Sequence, residues 1–149
     1  MINKNIHKIF TALSFLIPLV IYILTMAPTT SFWDCGEYIA TSRILGVPHP
    51  PGSPLYLLLG NVFSNLPILQ DIGARVNLIS PIASAFSVMF LYLIIVYLIE
   101  EYRGKTKSLS DIMITYCSAF IGALTFAVTD SHWFNAVEAE VYSVSTFFT

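Results

Sequence analysis

Residues 76–99 read VNLISPIASAFSVMFLYLIIVYLI, about 24 residues without a single Asp, Glu, Lys, Arg or His. At a helical rise of 1.5 Å per residue this run is roughly 36 Å long, enough to cross the ~30 Å hydrocarbon layer of a bilayer with some tilt. Two further stretches have the same character. Residues 9–27 give about 19 uncharged residues, and residues 112–128 about 17, the short end of the spanning range. The whole chain fits this picture, being 56% hydrophobic and 11% charged over 149 residues. A soluble domain carries about 25% charged residues, so too few remain here to coat a water-facing surface. Disorder needs low hydrophobicity and high net charge. Nucleic-acid binding needs a basic surface, and 7 basic against 9 acidic residues leave a net charge of −2. Both classes are excluded, and an all-α membrane protein with three transmembrane helices is expected.

A signal peptide is the rival reading of residues 9–27, since Lys4 and Lys8 make a basic start and Thr25-Met26-Ala27 resembles a cleavage site. Its apolar core exceeds the usual ~7–15 residues, and Pro28 would follow the cut, so an uncleaved helix is favoured. Lys4, Lys8, Arg103, Lys105 and Lys107 fall on one side of the spans, which the positive-inside rule makes cytoplasmic. The expected organisation is an outer loop over 28–75, an inner link over 100–111 and a second outer segment over 129–149. Asp34, Glu37, Asp71, Asp130, Glu138 and Glu140 then lie outside, and only Glu100, Glu101 and Asp111 inside.

The outer loop carries its own helix signals. Ser31-Phe-Trp-Asp34 fits an N-cap followed three residues later by an acid, predicting a helix to about Leu45. Gly46 would supply its left-handed end, and Pro48 bars continuation. Asp34, Glu37, Tyr38 and Thr41 would share one face. The prolines of Pro48-His49-Pro50-Pro51 restrain His49, and Ser53-Pro54 starts a second short helix. Its stripe of Leu55, Leu58, Leu59, Val62, Phe63 and Leu66 reads as an interfacial helix against bilayer or bundle. In the second span, Asn77, Ser80, Ser84 and Ser87 fall at the spacing of close helix packing.

Asp34 is a candidate general base, although an acid in a capping box serves the helix alone equally well. Glu37 is a second carboxylate or a solvated first-turn residue. His49 could meet a phosphate oxygen or shuttle a proton, or bond only to backbone. Arg75 could grip a lipid phosphate or pair with Asp71. Asn135 with Glu138 repeats the cap-plus-acid pattern, so a helix is expected from there, with Glu138 and Tyr142 on one face and Glu140 pointing elsewhere. Asp130, His132 and Glu138 match no compact zinc spacing, and a hard-cation site joining them to Asp34 or Glu37 stays open. No motif requires a cofactor, while a divalent cation is compatible with the carboxylates. Cys35 and Cys117 are not expected to pair.

Several ordered motifs carry a resemblance. Ala27-Pro28-Thr29 with Ser31-Phe-Trp-Asp34-Cys-Gly-Glu37, Gly46-Val-Pro-His49-Pro-Pro-Gly-Ser-Pro54-Leu, Arg75-Val-Asn77-Leu-Ile-Ser80 and Ala136-Val-Glu138-Ala-Glu140-Val-Tyr142 together resemble the N-terminal region of a multi-spanning bacterial family. That family was long catalogued as a domain of unknown function and is similar to a eukaryotic transmembrane protein O-mannosyltransferase. The resemblance implies a GT-C-like helical bundle in the bacterial inner membrane, whose first outer loop bears two short surface helices and a catalytic acid. It further implies transfer of a hexose, with mannose the candidate, from a polyprenyl-phosphate donor to a protein or glycan hydroxyl outside the cytoplasm. On this analogy Asp34 is the catalytic acid with Glu37 beside it. His49 and Arg75 are candidates for the donor phosphate, Glu138 for the site wall, and Trp33 and Tyr142 for further substrate contacts. Family members are much longer, so 149 residues are expected to be an opening portion, inactive alone. Two other readings stand beside this one, a lipid-carrier flippase or transporter and a non-catalytic membrane assembly subunit. A transporter would place ionisable groups inside its spans.

Overall fold

The computed structural model describes residues 2–104 and 108–149. Lys105 and Lys107, two of the bases behind the expected orientation, lie outside the described residues. Every regular element described is α-helical. Three of these helices are long and apolar enough to cross a membrane: α1 (Ile2–Thr25), α5 (Ile79–Arg103) and α6 (Leu109–Ala127).

Each long helix starts and packs for a local reason. In α6, Ser108 is the N-cap, accepting from the Asp111 amide at 3.1 Å and donating its hydroxyl to the Asp111 carboxylate at 2.7 Å, a reciprocal cap. Pro81 occupies the third position of α5, where a missing N–H costs the helix nothing. α1 begins before the apolar run, so His7 rides on the same helix and its Nδ1 lies 3.2 Å from the Tyr92 hydroxyl. The core between the three helices holds Tyr22, Val88, Tyr92 and Tyr116 against Ala119, Ala123 and Ala127. Alanine at every fourth position of α6 lets its backbone approach closely. Ser80, Ser84 and Ser87 are likewise buried on α5, as their spacing suggests.

Three antiparallel helices place residues 26–78 and 128–149 at the same end of the bundle. There α2 (Cys35–Ile44), α3 (Pro54–Asn65), α4 (Ile72–Asn77), α7 (Asp130–Ala136) and α8 (Val141–Phe148) form a cap around a second core of Cys35, Tyr38, Tyr56, Leu57, Val76 and Val144. Asn77 staples this cap. It is fully buried, donates to the Ala27 and Thr29 carbonyls at 2.9 Å each, and accepts the Cys35 thiol at 3.6 Å. The Ala27 amide in turn donates to the Val137 carbonyl at 2.8 Å, tying the first connection to the last.

Four local expectations are corrected. The helix near Asp34 starts at Cys35, with Asp34 itself at the N-cap position and no capping bond from its side chain, so the Ser31 capping box does not form. The left-handed residue at its end is Leu45 (φ 52), not Gly46. No helix starts at Asn135, which sits inside α7 and donates to the Ser131 carbonyl. The chain breaks at 137–140 before α8, so Glu138 is buried while Tyr142 is exposed, and the two share no face.

Candidate functional site

Two turns of local chemistry bring the first acids together. Asp34 stands at the mouth of α2 with its side chain about half exposed, and the preceding Trp33 has φ 57, an uncommon left-handed conformation for a bulky residue. Glu37 follows one turn later. The proline-rich elbow then returns the chain so that the His49 amide donates to Glu37 Oε1 and His49 Nδ1 donates to Glu37 Oε2, both at 2.7 Å. One carboxylate thus grips both the backbone and the ring of one histidine. His49 Nε2 is left 4.0 Å from Asp34 Oδ2. The hydrogen bond to His49 holds Glu37 below the usual carboxylate range, and the same bond raises His49 above its ordinary value. Both shifts favour the charged forms of the pair, and the other ring nitrogen lies on the side of Asp34.

The second wall comes from the break between α7 and α8. Glu140 is 6% exposed, and its amide donates to Ser80 Oγ at 3.5 Å. Ser143 clamps the same point, its hydroxyl lying 2.9 Å from the Glu140 carbonyl and 3.0 Å from Ser80 Oγ. Burial pushes the Glu140 carboxyl up to about 7, helped by Glu138 and Asp34. Glu138 is 1% exposed, and its Oε1 has no hydrogen-bond partner. Tyr38 and Tyr56 complete the floor with ring centroids 5.4 Å apart, and the Tyr38 ring lies 6.0 Å from that of His49. Burial raises both phenols, so they remain protonated.

The structure thus brings Asp34, Glu37 and His49 into one cluster, with Glu140 within electrostatic reach. Glu138, buried two residues before Glu140, adds to the negative field that Glu140 feels. Glu140 was expected to point elsewhere and is the residue that helical spacing misses. Only the chain break turns it inward. Arg75 stands apart, donating to the carbonyls of Leu69 (2.6 Å), Ser64 (3.1 Å) and Gln70 (3.4 Å). Asp71 instead caps α4 through the Ala74 amide at 2.9 Å. Trp33 and Tyr142 are exposed, the latter beside a shallow cavity of about 350 Å³ lined also by Ser53, Tyr56 and Ser145. His132 turns away, packing against Phe126 and Tyr22 with ring centroids 4.2 and 6.1 Å distant. Among the described residues, Asp34, Glu37 and His49 form the group whose ligand-type atoms close within metal-binding distance, so the envisaged site with Asp130 and His132 does not assemble. Both cysteines are free.

Residues 34–149 match the family model described as the protein O-mannosyl-transferase TMEM260 N-terminal domain. The chain is 25% identical over 131 residues to the protein O-mannosyl-transferase tmem260 of Dictyostelium discoideum, covering 87% of this chain and 14% of that protein. It is 27% identical over 128 residues to protein O-mannosyl-transferase TMEM260 of Mus musculus, covering 86% of this chain and 16% of that protein. The chain therefore matches well under a fifth of the length of these relatives. No solved structure matches it.

Proposed function

Because this chain belongs to the TMEM260 N-terminal domain family, we propose that it forms the catalytic-acid end of a membrane O-mannosyltransferase. The donor in this reading is a mannosyl polyprenyl phosphate, and the acceptor is a Ser or Thr hydroxyl of a protein. The site end of the bundle faces out of the cytoplasm of a bacterial inner membrane, as the bias of basic residues toward the opposite end suggests. The fold class is of GT-C type.

The observation that carries the reading is the state of Asp34. It is an exposed carboxylate at a helix start, released from any capping bond, and set 4.0 Å from a histidine that another carboxylate holds in place. An acid serving only its helix would be spent on backbone amides. In the proposed step the acceptor oxygen attacks the anomeric carbon as the bond from that carbon to the phosphate oxygen breaks. The hydroxyl proton passes to Asp34, and the lipid phosphate leaves with the bonding electrons from the opposite side. Glu37 positions His49, whose ring faces the reacting region, and Glu138 forms part of the wall behind Glu140. Arg75 takes a positioning role on the α3–α4 connection. Residues 9–27, 76–99 and 112–128 carry no Asp, Glu, Lys, Arg or His, which favours surface chemistry over transport.

The test uses the full-length protein, labelled mannosyl polyprenyl phosphate and candidate acceptor peptides. Asp34→Asn is expected to lower transfer by about 10²–10⁴-fold, the usual range for loss of a general base, with unchanged expression and folding. Near-normal turnover in that variant overturns the assignment.

A further inference from the structure

We propose that Arg43 and Arg75 form a binding site for the phosphate of an anionic glycerophospholipid, with the apolar corner around them set into the bilayer surface at the cap end of the bundle. This surface stands apart from Asp34 and does not depend on the transferase reading.

The arginines supply the first argument. Arg43, in the last turn of α2, and Arg75, in α4, both direct Nη1 at the Ser64 carbonyl, at 3.5 and 3.1 Å. The two nitrogens therefore lie within about 7 Å of each other, close enough for like charges to repel. Their remaining bonds go to neutral groups, Arg43 to the Asn65 side chain and Arg75 to the Leu69 and Gln70 carbonyls. Among the described residues, the ion pairs within 4.0 Å belong to His49, and neither arginine has a carboxylate partner. The C-terminal end of α3, where these bonds converge, offers about half a negative charge against two positive ones. A guanidinium carries five N–H donors, and Arg43 Nε and Nη2 find no acceptor among the described residues. Two neighbouring guanidinium groups with free N–H donors suit the oxygens of a phosphate.

Depth is the second argument. Arg75 is the residue immediately before the uncharged run 76–99. It stands where hydrocarbon gives way to the headgroup layer, about 5–8 Å thick on each face. Arg43 reaches the same carbonyl and so the same level.

The apolar surroundings are the third. Ile44 follows Arg43, Leu66 follows Asn65, and Leu69 supplies one of the Arg75 carbonyls. These three and Ile68 are all exposed, Ile68 by 51%, and they continue the outward apolar face of α3. A bilayer surface covers such residues with acyl chains while the arginine heads meet the phosphates. Asp34 and Arg43 sit at opposite ends of α2, about 13 Å apart along its axis at the helical rise. A sugar donor reacting at Asp34 would keep its phosphate near that end, so bulk phospholipid is the occupant.

The experiment places the photoreactive residue p-benzoyl-phenylalanine at Ile68 of the full-length protein. The protein is reconstituted in vesicles of nine parts phosphatidylcholine to one part phosphatidylglycerol, irradiated, and its lipid adducts are weighed by mass spectrometry. At about 1 kcal/mol per basic residue near an anionic lipid, phosphatidylglycerol should be captured at least threefold above its share. The same label at Leu16, in mid-span, should capture the two lipids in their vesicle proportion. Arg43→Gln should cut the excess at Ile68 at least twofold, and Arg43→Lys, which keeps the charge, should retain most of it. Added inorganic phosphate should leave the ratio unchanged.

Capture at the vesicle ratio with both arginines present, or an undiminished excess in Arg43→Gln, overturns the site. That first outcome needs no change to either arginine, so a misfolded variant does not blunt the test. Loss of the excess on adding inorganic phosphate would mean that the arginines read anions from solution, and the lipid assignment falls. Adducts to protein instead of lipid would mean that another protein segment covers the corner, and would overturn it equally. Enrichment of added mannosyl polyprenyl phosphate over phosphatidylglycerol would hand the site to the donor and overturn the proposal. Lipid capture as expected, with no sugar transfer by the same protein, would remove the transferase reading and leave this surface intact.

Discussion

At the residue scale, burial decides what a titratable group does to the fold. His132 is 7% exposed, its Nε2 has no hydrogen-bond partner, and desolvation lowers its proton affinity below the ordinary histidine value. Below about pH 6.5, the unperturbed histidine value, the unfolded chain takes up a proton that the folded chain refuses. Stability contributed by neutral His132 is therefore present above that pH and falls away as the medium is acidified. The thermal unfolding midpoint in detergent should drop between pH 7.5 and 5.0, and His132→Phe should flatten that part of the profile. An unchanged slope in the variant rejects the assignment. Asp34 was legible as a residue type at a helix start, but its capping role was not decidable from spacing. An acid three residues after a serine satisfies the pattern whether or not the backbone turns early enough to use it. Glu140 was hidden for a related reason, since helical periodicity assigns it to the opposite face from Glu138 until the chain breaks at 137–140.

At the element scale, the closest approach of α2 and α3 that a side chain would block is at Gly60. A Cβ at Gly60 would overlap Ser42 Oγ and lie 2.7 Å from Ser42 Cβ, so glycine is required for this approach. Gly60→Ala should destabilise the protein by about 1–3 kcal/mol, the usual cost of overpacking. Combining it with Ser42→Gly should restore much of that loss, because the second change removes the clashing atoms. A full additive loss in the double variant, read from unfolding midpoints, would show the helices do not meet there. The same helix marks a limit of periodicity. The apolar stripe of Leu55, Leu58, Val62 and Leu66 is legible in the sequence, yet these residues face outward, while Tyr56, Leu57, Gly60 and Ser64 face the bundle. In water an apolar stripe marks the core. Beside a bilayer lipid is as apolar as the core, and small residues mark the packed face instead. The three spanning-length helices were legible because length and absence of charge suffice for them. The short α4, set by the single Asp71 cap, and α7, which has no side-chain cap, gave no comparable signal.

At the scale of the whole molecule, the site exists because three antiparallel spans return the first and last connections to one end, where Asn77 and the Ala27–Val137 bond join them. The link between α5 and α6 is then at the other end, and the two ends must face opposite sides of the membrane. Bases at Lys4, Lys8, Arg103, Lys105 and Lys107 favour the link end as cytoplasmic. Val47, 89% exposed beside the site, and Tyr102, 93% exposed next to the link, are natural reporters. In a background lacking Cys35 and Cys117, Val47→Cys should react with a membrane-impermeant maleimide on intact spheroplasts. Tyr102→Cys should react only after permeabilisation. The reverse pattern would place the carboxylates in the cytoplasm and exclude a donor presented on the outer face. Labelling of both positions in intact cells would mean that the three helices do not form the antiparallel set on which the site depends.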